Sequence, residues 1–178
     1  MRSVVIRPAT ATDLPAVMTI EDASFAPGLR ETLPTYQARL ALYPRGFRVA
    51  ERGGAVVGFI ASERWAGLAG LEPERFAIDH HPATHHQPEG DLLYLSALAV
   101  APSARGHGVG AALIAGLLTE HAGAVRSALL VVARGWQAAR LAYARAGFGE
   151  AMVLSRFFHG LDGSVDDGLV LRRELDRG

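Results

Sequence analysis

The stretch Leu95-Ser-Ala-Leu-Ala-Val-Ala-Pro-Ser-Ala-Arg-Gly-His-Gly-Val-Gly-Ala-Ala-Leu-Ile114 decides how the rest of the chain reads. The apolar run Asp91–Val100 reads as a strand, and Pro102 starts the turn that follows it. Arg105-Gly106-His107-Gly108-Val109-Gly110 then opens a helix, whose single apolar face of Val109, Leu113, Ile114, Leu117 and Leu118 carries it to about Gly123. Glycines allow the backbone to approach a ligand closely, and the first free N–H groups of a helix point outward at its positive dipole end. Such a corner binds phosphate. A plain tight turn accounts for the glycines equally well. A dinucleotide fingerprint, G-x-G-x-x-A over Gly106–Ala111, fails on context: Ala101–Arg105 separate it from the strand, and Ser127–Ala133 carries no acidic residue. A Walker loop fails for want of its Lys.

Working outward toward the N-terminus, Val4-Val5-Ile6, closed by Arg7-Pro8, reads as a first strand. Thr12-Asp13 suits a helix start, with Pro15 tolerated in the first turn and Leu14, Val17, Ile20 and Ser24 near helical spacing. A second helix over Tyr36–Leu42 stops at Pro44 and Gly46. Phe47–Glu51 and Ala55–Glu63 flank Arg52-Gly53-Gly54, the pattern of an antiparallel hairpin. Between Gly67 and Gly90 the periodicity dissolves into Pro, Gly, His and Glu, too long for a plain connector. Toward the C-terminus, Ser127–Ala133 is a buried strand and Gln137–Ala146 a helix ended by Gly147. Two last strands, Met152–Phe158 and Leu169–Glu174, close the order β-α-α-β-β-β-α-β-α-β-β, an α/β (α+β) arrangement with no linker and no repeat. One domain over residues 1–178 is expected.

The composition agrees with a globular chain of 178 residues: 49% hydrophobic and 20% charged. Lys+Arg 18 balances Asp+Glu 18, so the basic excess of a nucleic-acid binder is missing from the total. Without cysteine there are no disulfides, no thiolate nucleophile and no Cys-ligated zinc. The apolar run after Met1 is too short for a signal segment, and no run approaches roughly 18 apolar residues, so a soluble cytoplasmic protein without membrane contact is expected.

Arg105-x-x-Gly108-x-Gly110, preceded by Leu98-Ala99-Val100 and Pro102, resembles the R/Q-x-x-G-x-G/A signature of the GNAT superfamily of acyl-CoA N-acyltransferases. Ala139-Arg-Leu-Ala-Tyr143-Ala-Arg-Ala-Gly147-Phe148 resembles its second signature, A-x-x-x-Y-x-x-x-G-F, and Ile6-Arg-Pro-Ala-Thr with Asp13 resembles its usual opening. Glu21-Asp-Ala-Ser-Phe25, Arg39-Leu-Ala-Leu-Tyr-Pro44, Phe47-Arg-Val-Ala and Phe157-Phe158-His159 look like bacterial relatives of arylalkylamine N-acetyltransferases.

The resemblance implies a mixed central sheet of about six to seven strands with a splayed pair and helices on both faces. It also implies direct transfer of an acetyl group from acetyl-CoA to an amine acceptor: a small amine, an amino acid or a peptide N-terminus. On this reading the CoA pyrophosphate sits on the backbone N–H groups of Arg105, Gly106, His107, Gly108, Val109, Gly110 and Ala111. The pantetheine arm lies between the strand ending Leu98-Ala99-Val100 and the strand Ser127–Ala133, with a backbone N–H near Leu98 polarising the thioester carbonyl. Tyr143 matches the tyrosine that protonates the departing thiolate; its alternative is packing on Phe148. Where the family usually has Asn, Trp136 stands, which implies an apolar wall at the cofactor. Homodimerisation through terminal strands is common in the superfamily; the oligomeric state is open.

The proton acceptor is the weak point of the pattern. Deprotonating an alkylamine of pKa near 10.4 at neutral pH costs about 4–5 kcal/mol. Ribosomal-protein acetyltransferases place a Glu where Val131 stands, and arylalkylamine enzymes place His residues where Tyr94 and Ser96 stand. A water relayed through Ser96 and Tyr94 is therefore the first choice, with Glu63, Asp91 and the loop histidines as alternatives. A non-catalytic acyl-CoA-binding module that has lost its base is the competing reading. His80-His81-Pro-Ala-Thr-His85-His86 invites a metal, but Pro82 and Pro88 deny the helix that would set ligand spacing, so no metal is expected. The segment is then either an exposed polar loop or a gate over the acceptor pocket. Trp65 and Phe76 are either packing or the wall of an aryl pocket.

Overall fold

Arg52-Gly53-Gly54 makes the tight turn expected of it: Gly53 and Gly54 take φ of 63° and 82°, a region that side chains with a Cβ avoid. The turn joins β2 (Phe47–Arg52) to β3 (Ala55–Trp65). In the computed structural model, which describes residues 3–67, 69 and 71–175, this hairpin is the start of one seven-stranded sheet. Its other strands are β1 (Val4–Pro8), β4 (Leu92–Val100), β5 (Ser127–Ala133), β6 (Gly149–His159) and β7 (Val165–Glu174). The order is β1-β2-β3-β4-β5-β7-β6, and only β4 and β5 run parallel.

Helices cover both faces. On one, α1 (Leu14–Ser24) and α2 (Leu33–Leu42) set Leu14, Val17, Ile20 and Tyr36 against Phe47, Val49 and Phe59. On the other, α3 (Val109–Glu120) inserts Leu113, Ile114 and Leu117 over β2–β5, and α4 (Gln137–Arg145) lies beside it. Each fully buried leucine there contributes about 1.5–3 kcal/mol of transfer free energy. Among the described residues no helix is long and apolar enough to cross a membrane.

The last hairpin is longer than the sequence pattern predicts. Beyond Leu154 the ladder breaks, Arg156 takes a positive φ of 52°, and pairing resumes at Phe158 with Asp166. Asp167 accepts the Arg156 N–H and Asp166 accepts the Gly135 N–H, both at 2.8 Å. These two acids read as turn residues in sequence, yet they sit in a strand because they satisfy backbone donors at the irregularity.

The Gly67–Gly90 segment is not simply exposed, though Leu68 and Gly70, like Met1 and Arg2, lie outside the described residues. Two single 3-10 turns, Pro73–Phe76 and Pro82–Thr84, fold it back on the sheet. Phe76 is buried with Trp65, Leu92, Tyr94 and Leu129, on the α1–α2 face.

Candidate active site

Strands β4 and β5 pair only from Leu92↔Ser127 to Tyr94↔Leu129 and then part. Two features accompany the parting. β5 stays paired along its whole length with β7 on its other side. β4 carries a bulge: Ala61 faces Ala97 and Ser62 faces Leu95, so Ser96 is the extra residue, and a bulge bends its strand. The bulge also slips the alternation by one, which is why Leu93 and Leu95, then Leu98 and Val100, pack on the α3 side.

Backbone parity beyond the bulge follows from one bond. The Ala101 N–H donates to the Val57 carbonyl at 2.8 Å, so alternate residues of β4 bond to β3 and the others face away. Leu98 and Val100 turn their N–H and C=O groups toward the gap. Ala99, grouped with them in sequence, turns its own to Phe59 of β3 and is buried. The Val100 carbonyl is already taken: Arg105 Nε donates to it at 3.0 Å, and Arg105 Nη2 reaches Ser24 Oγ at 3.2 Å. The Arg105 side chain thus fastens the end of β4 to the end of α1.

At the mouth of the gap, Gly106 and Gly108 both have φ of 76°, and Gly108 is the N-cap of α3. No side chain caps this helix, so its first amides stay available. A Cβ added at Gly110 would meet only Val100 Cγ2, at 3.8 Å; the protein itself leaves that approach clear. His107 Nδ1 lies 2.8 Å from the Arg105 carbonyl, which ties the loop to itself. An open strand edge leading to uncapped helix amides suits an extended, amide-bearing ligand that ends in phosphate.

Behind the mouth the gap widens into a cavity. Tyr94, Ser96, Leu98, Val131, Trp136 and Tyr143 line one part of it. Trp136 tilts on Phe25 and on Phe158, each with ring centroids 5.6 Å apart, and so gives the cavity an apolar wall. The Tyr143 ring meets Phe148 edge-on at 6.0 Å, while its hydroxyl has no hydrogen-bond partner among the described residues. The ring therefore packs as the alternative reading has it, and the residue also lines the cavity. Burial pushes its phenol up, which keeps it protonated. Ser96 Oγ donates to the Ala61 carbonyl at 3.1 Å, which leaves it lone pairs to offer. Tyr94 stacks on Trp65 at 4.1 Å and its phenol is likewise raised, by burial first.

The opposite wall carries charge to which the sequence reading assigned no role. Glu21 and Glu31 line the cavity beside Phe25, Leu29, Phe76 and His80. Glu21 Oε1 accepts the Glu31 N–H at 2.8 Å and Oε2 accepts the Tyr36 hydroxyl at 2.9 Å. It has no ion-pair partner among the described residues, and burial pushes its carboxyl up to about 7. Glu31 is held by Arg39 through Nε and Nη2 at 3.1 and 2.7 Å, and Arg39 Nη1 reaches Glu63 Oε1 at 3.2 Å. Glu63, 1% exposed, bonds His80 Nε2 through the same oxygen, and His80 Nδ1 lies 2.8 Å from the Ala77 carbonyl. Burial disfavours both ions of the last pair, but each stabilises the other: His80 is held above its ordinary value and Glu63 below. Glu63 Oε2 is buried without a partner among the described residues.

The loop is thus anchored through His80 and lines the cavity with Phe76, Ala77 and Ile78. Its other histidines do different work. His86 Nδ1 accepts the Arg64 N–H at 3.1 Å, His85 sits edge-on to Trp65, and His81 accepts the Ala83 N–H. Asp91 is excluded as a base, since it lies at the far end of β4, paired with Arg126 at the surface. Trp65 is fully buried packing; Phe76 both packs and lines the cavity. Among the described residues no His, Asp or Glu group is arranged to hold a metal ion. Glu21 and Arg39, quoted above only within stretches that carry the resemblance and given no role there, did leave a signal of their own. Glu21 falls on the stripe Leu14-Val17-Glu21 and Arg39 follows Tyr36 on the buried side of its helix, so each is a charge where helical spacing expects an apolar side chain.

Comparison with known proteins gives a consistent result. Residues 14–148 match the model of the acetyltransferase (GNAT) family. No curated protein matches the chain. Among solved structures, the ribosomal-protein-alanine N-acetyltransferase of Brucella melitensis is 25% identical, with TM-score 0.72 over 96% of this chain and 99% of that one. The ribosomal-protein-S18-alanine N-acetyltransferase of Escherichia coli is 20% identical, with TM-score 0.74 over 99% and 96%. The GphF GNAT-like decarboxylase in complex with isobutyryl-CoA is 23% identical, with TM-score 0.78 over 97% and 100%. The last two are likenesses of fold.

Proposed function

The chain belongs to the GNAT acetyltransferase family, and from that premise we propose that it transfers the acetyl group of acetyl-CoA to a primary amine by direct attack, both substrates being bound together. The observation that carries this reading is the parting of β4 from β5, which leaves the edge at Leu98 and Val100 open between the uncapped start of α3 and the cavity wall at Tyr143. The isobutyryl-CoA bound to the GphF decarboxylase supports an acyl-CoA as the ligand of such a gap. Bound acetyl-CoA supplies an acetyl group activated as a thioester.

The chain's residues divide the remaining work. The backbone amides from Arg105 to Ala111 receive the pyrophosphate, and Gly108 and Gly110 keep that approach clear of side chains. The Leu98 N–H, turned to the gap, donates to the thioester oxygen as negative charge builds there. The Tyr143 hydroxyl gives its proton to the sulfur as the C–S bond breaks. Ser96, its own proton committed to Ala61, offers a lone pair to a water that, with Tyr94, leads the proton away from the attacking nitrogen. A single acyltransferase domain acting in the cytoplasm completes the reading.

The test pairs two measurements: calorimetry with CoA, and release of free thiol from acetyl-CoA over a panel of primary amines. Micromolar CoA binding with amine-dependent thiol release is the expected result. Tight CoA binding with no turnover on any acceptor would make the chain a binding module, and no CoA binding would remove the reading altogether.

A further inference from the structure

Glu21 is the unusual group in the cavity. It is 2% exposed and accepts two hydrogen bonds, yet it has no cation partner among the described residues, whereas Glu31 and Glu63 share Arg39. Buried carboxylates are ordinarily paired or else neutralised, so one without a counter-ion on a cavity wall has charge to offer a cation that enters the cavity. The cations nearby are spent: Arg39 has all three of its nitrogens on Glu31 and Glu63, and His80 has both ring nitrogens on Glu63 and Ala77. The charged side chains among the lining residues are Glu21, Glu31 and His80. No lining cation is therefore free to meet a carboxylate on the acceptor. The rest of the same wall is apolar, from Phe25, Leu29, Phe76, Ile78 and Phe158.

We propose that the acceptor is a cationic amine with an apolar body and no carboxylate beside its amino group, and that Glu21 receives its ammonium group and takes its proton. Free amino acids are excluded by charge. This rests on the acyl transfer proposed above and assigns its acceptor end. The step balances. The nitrogen forms the C–N bond and the C–S bond breaks. One of the three ammonium protons passes to Glu21, and from there, by way of the water held at Ser96, to solvent. A second reaches the departing sulfur by way of Tyr143, and the third stays on the amide. The raised carboxyl of Glu21 suits this duty, because a base near neutrality can both hold and release the proton.

The experiment compares matched pairs that differ by one carboxylate, 2-phenylethylamine with phenylalanine and isoamylamine with leucine, in thiol-release kinetics and in calorimetric binding to the CoA-loaded protein. The amines are expected to exceed the amino acids by at least about 100-fold in kcat/KM, the scale of a buried like-charge clash. Glu21→Gln, which keeps an acceptor for the Glu31 N–H and a partner for Tyr36, is expected to lower kcat/KM for the amine by about 100- to 1000-fold, to leave CoA affinity unchanged, and to remove the rise of kcat/KM with pH near 7. If an amino acid binds or reacts as well as its amine, or if neither amine binds, the assignment is overturned. So it is if Glu21→Gln leaves both binding and kinetics intact. CoA binding with turnover of a carboxylate-bearing acceptor would sink this inference alone; absence of CoA binding would sink the acyl transfer on which it rests.

Discussion

Replacing Arg39 with Met tests whether the buried ion chain is what holds the cavity wall in place. Arg39 is 2% exposed, grips Glu31 with two nitrogens at 2.7 and 3.1 Å, and reaches Glu63 at 3.2 Å. Methionine fills much of the stem's volume, so the loss is chiefly electrostatic. Glu63 retains His80, but Glu31 is left with no ion-pair partner among the described residues and only the more distant charge of His80. Removing one partner of a buried pair costs about 3–5 kcal/mol. For a chain of this length that lowers Tm by about 6–20 °C. The loss carries a pH signature. Burial already raises the Glu31 carboxyl against the pull of Arg39, and without Arg39 it rises further. A carboxyl raised in the folded state binds more protons there than in the unfolded chain, so stability falls as pH climbs through that window. The deficit of Arg39→Met is therefore greatest at about pH 7.5 and shrinks toward about pH 5, where a protonated Glu31 needs no cation. Urea unfolding followed by circular dichroism at both pH values measures it, and adding Glu31→Gln is expected to recover at least half of the loss. A deficit under about 1 kcal/mol at the higher pH, or one equal at both, would refute the reasoning.

Three further outcomes follow from the same geometry. Tyr143→Phe keeps the ring against Phe148 and deletes the unpartnered hydroxyl, so kcat is expected to fall about 100-fold or more with CoA affinity within about twofold; unchanged turnover would remove the acid role. Gly108→Ala forces a Cβ onto a residue with φ of 76°, costing about 1–2 kcal/mol in urea unfolding, and by re-aiming the first amides of α3 it should weaken CoA at least tenfold by calorimetry. His80, raised above its ordinary 6.5, contributes stability that is fully present below that value and is lost as pH rises through the folded one. Wild type should thus lose stability above about pH 6.5 relative to His80→Gln, whose profile is flatter; parallel profiles would show that the His80–Glu63 pair does not titrate there.

Much of the frame is legible in the chain because it is local. Val109 and the apolar face behind it define α3 by spacing, Gly53-Gly54 set a hairpin, and Ser127–Ala133 announces a strand whose bounds the structure reproduces. Where the reading fell short, the missing information was non-local. Asp166 and Asp167 look like turn residues until their acceptor roles for Gly135 and Arg156 are seen. The start of α2 at Leu33 instead of Tyr36 needs only Pro34 in the first turn, a rule already applied to α1. The histidine segment looked like a polar loop because burial of Phe76 and His80 depends on Trp65, Tyr94 and Glu63, none of them neighbours in sequence.

What the sequence by itself determined is the glycine corner at the start of α3. Positive φ at Gly106 and Gly108, the start of a helix and the strand before it are properties of a few consecutive residues, and a few residues suffice to encode them. Only the tertiary structure decided which side chains face the acceptor. The extra residue at Ser96 reverses the alternation of β4, and a bulge exists only against a partner strand. Glu31, Arg39, Glu63 and His80 meet across separations of 8, 24 and 17 residues. Each is an ordinary surface charge until packing removes the water around it; once buried, the charges must find one another, and Glu21, which has no counter-ion among the described residues, is where the proposed acceptor is tested.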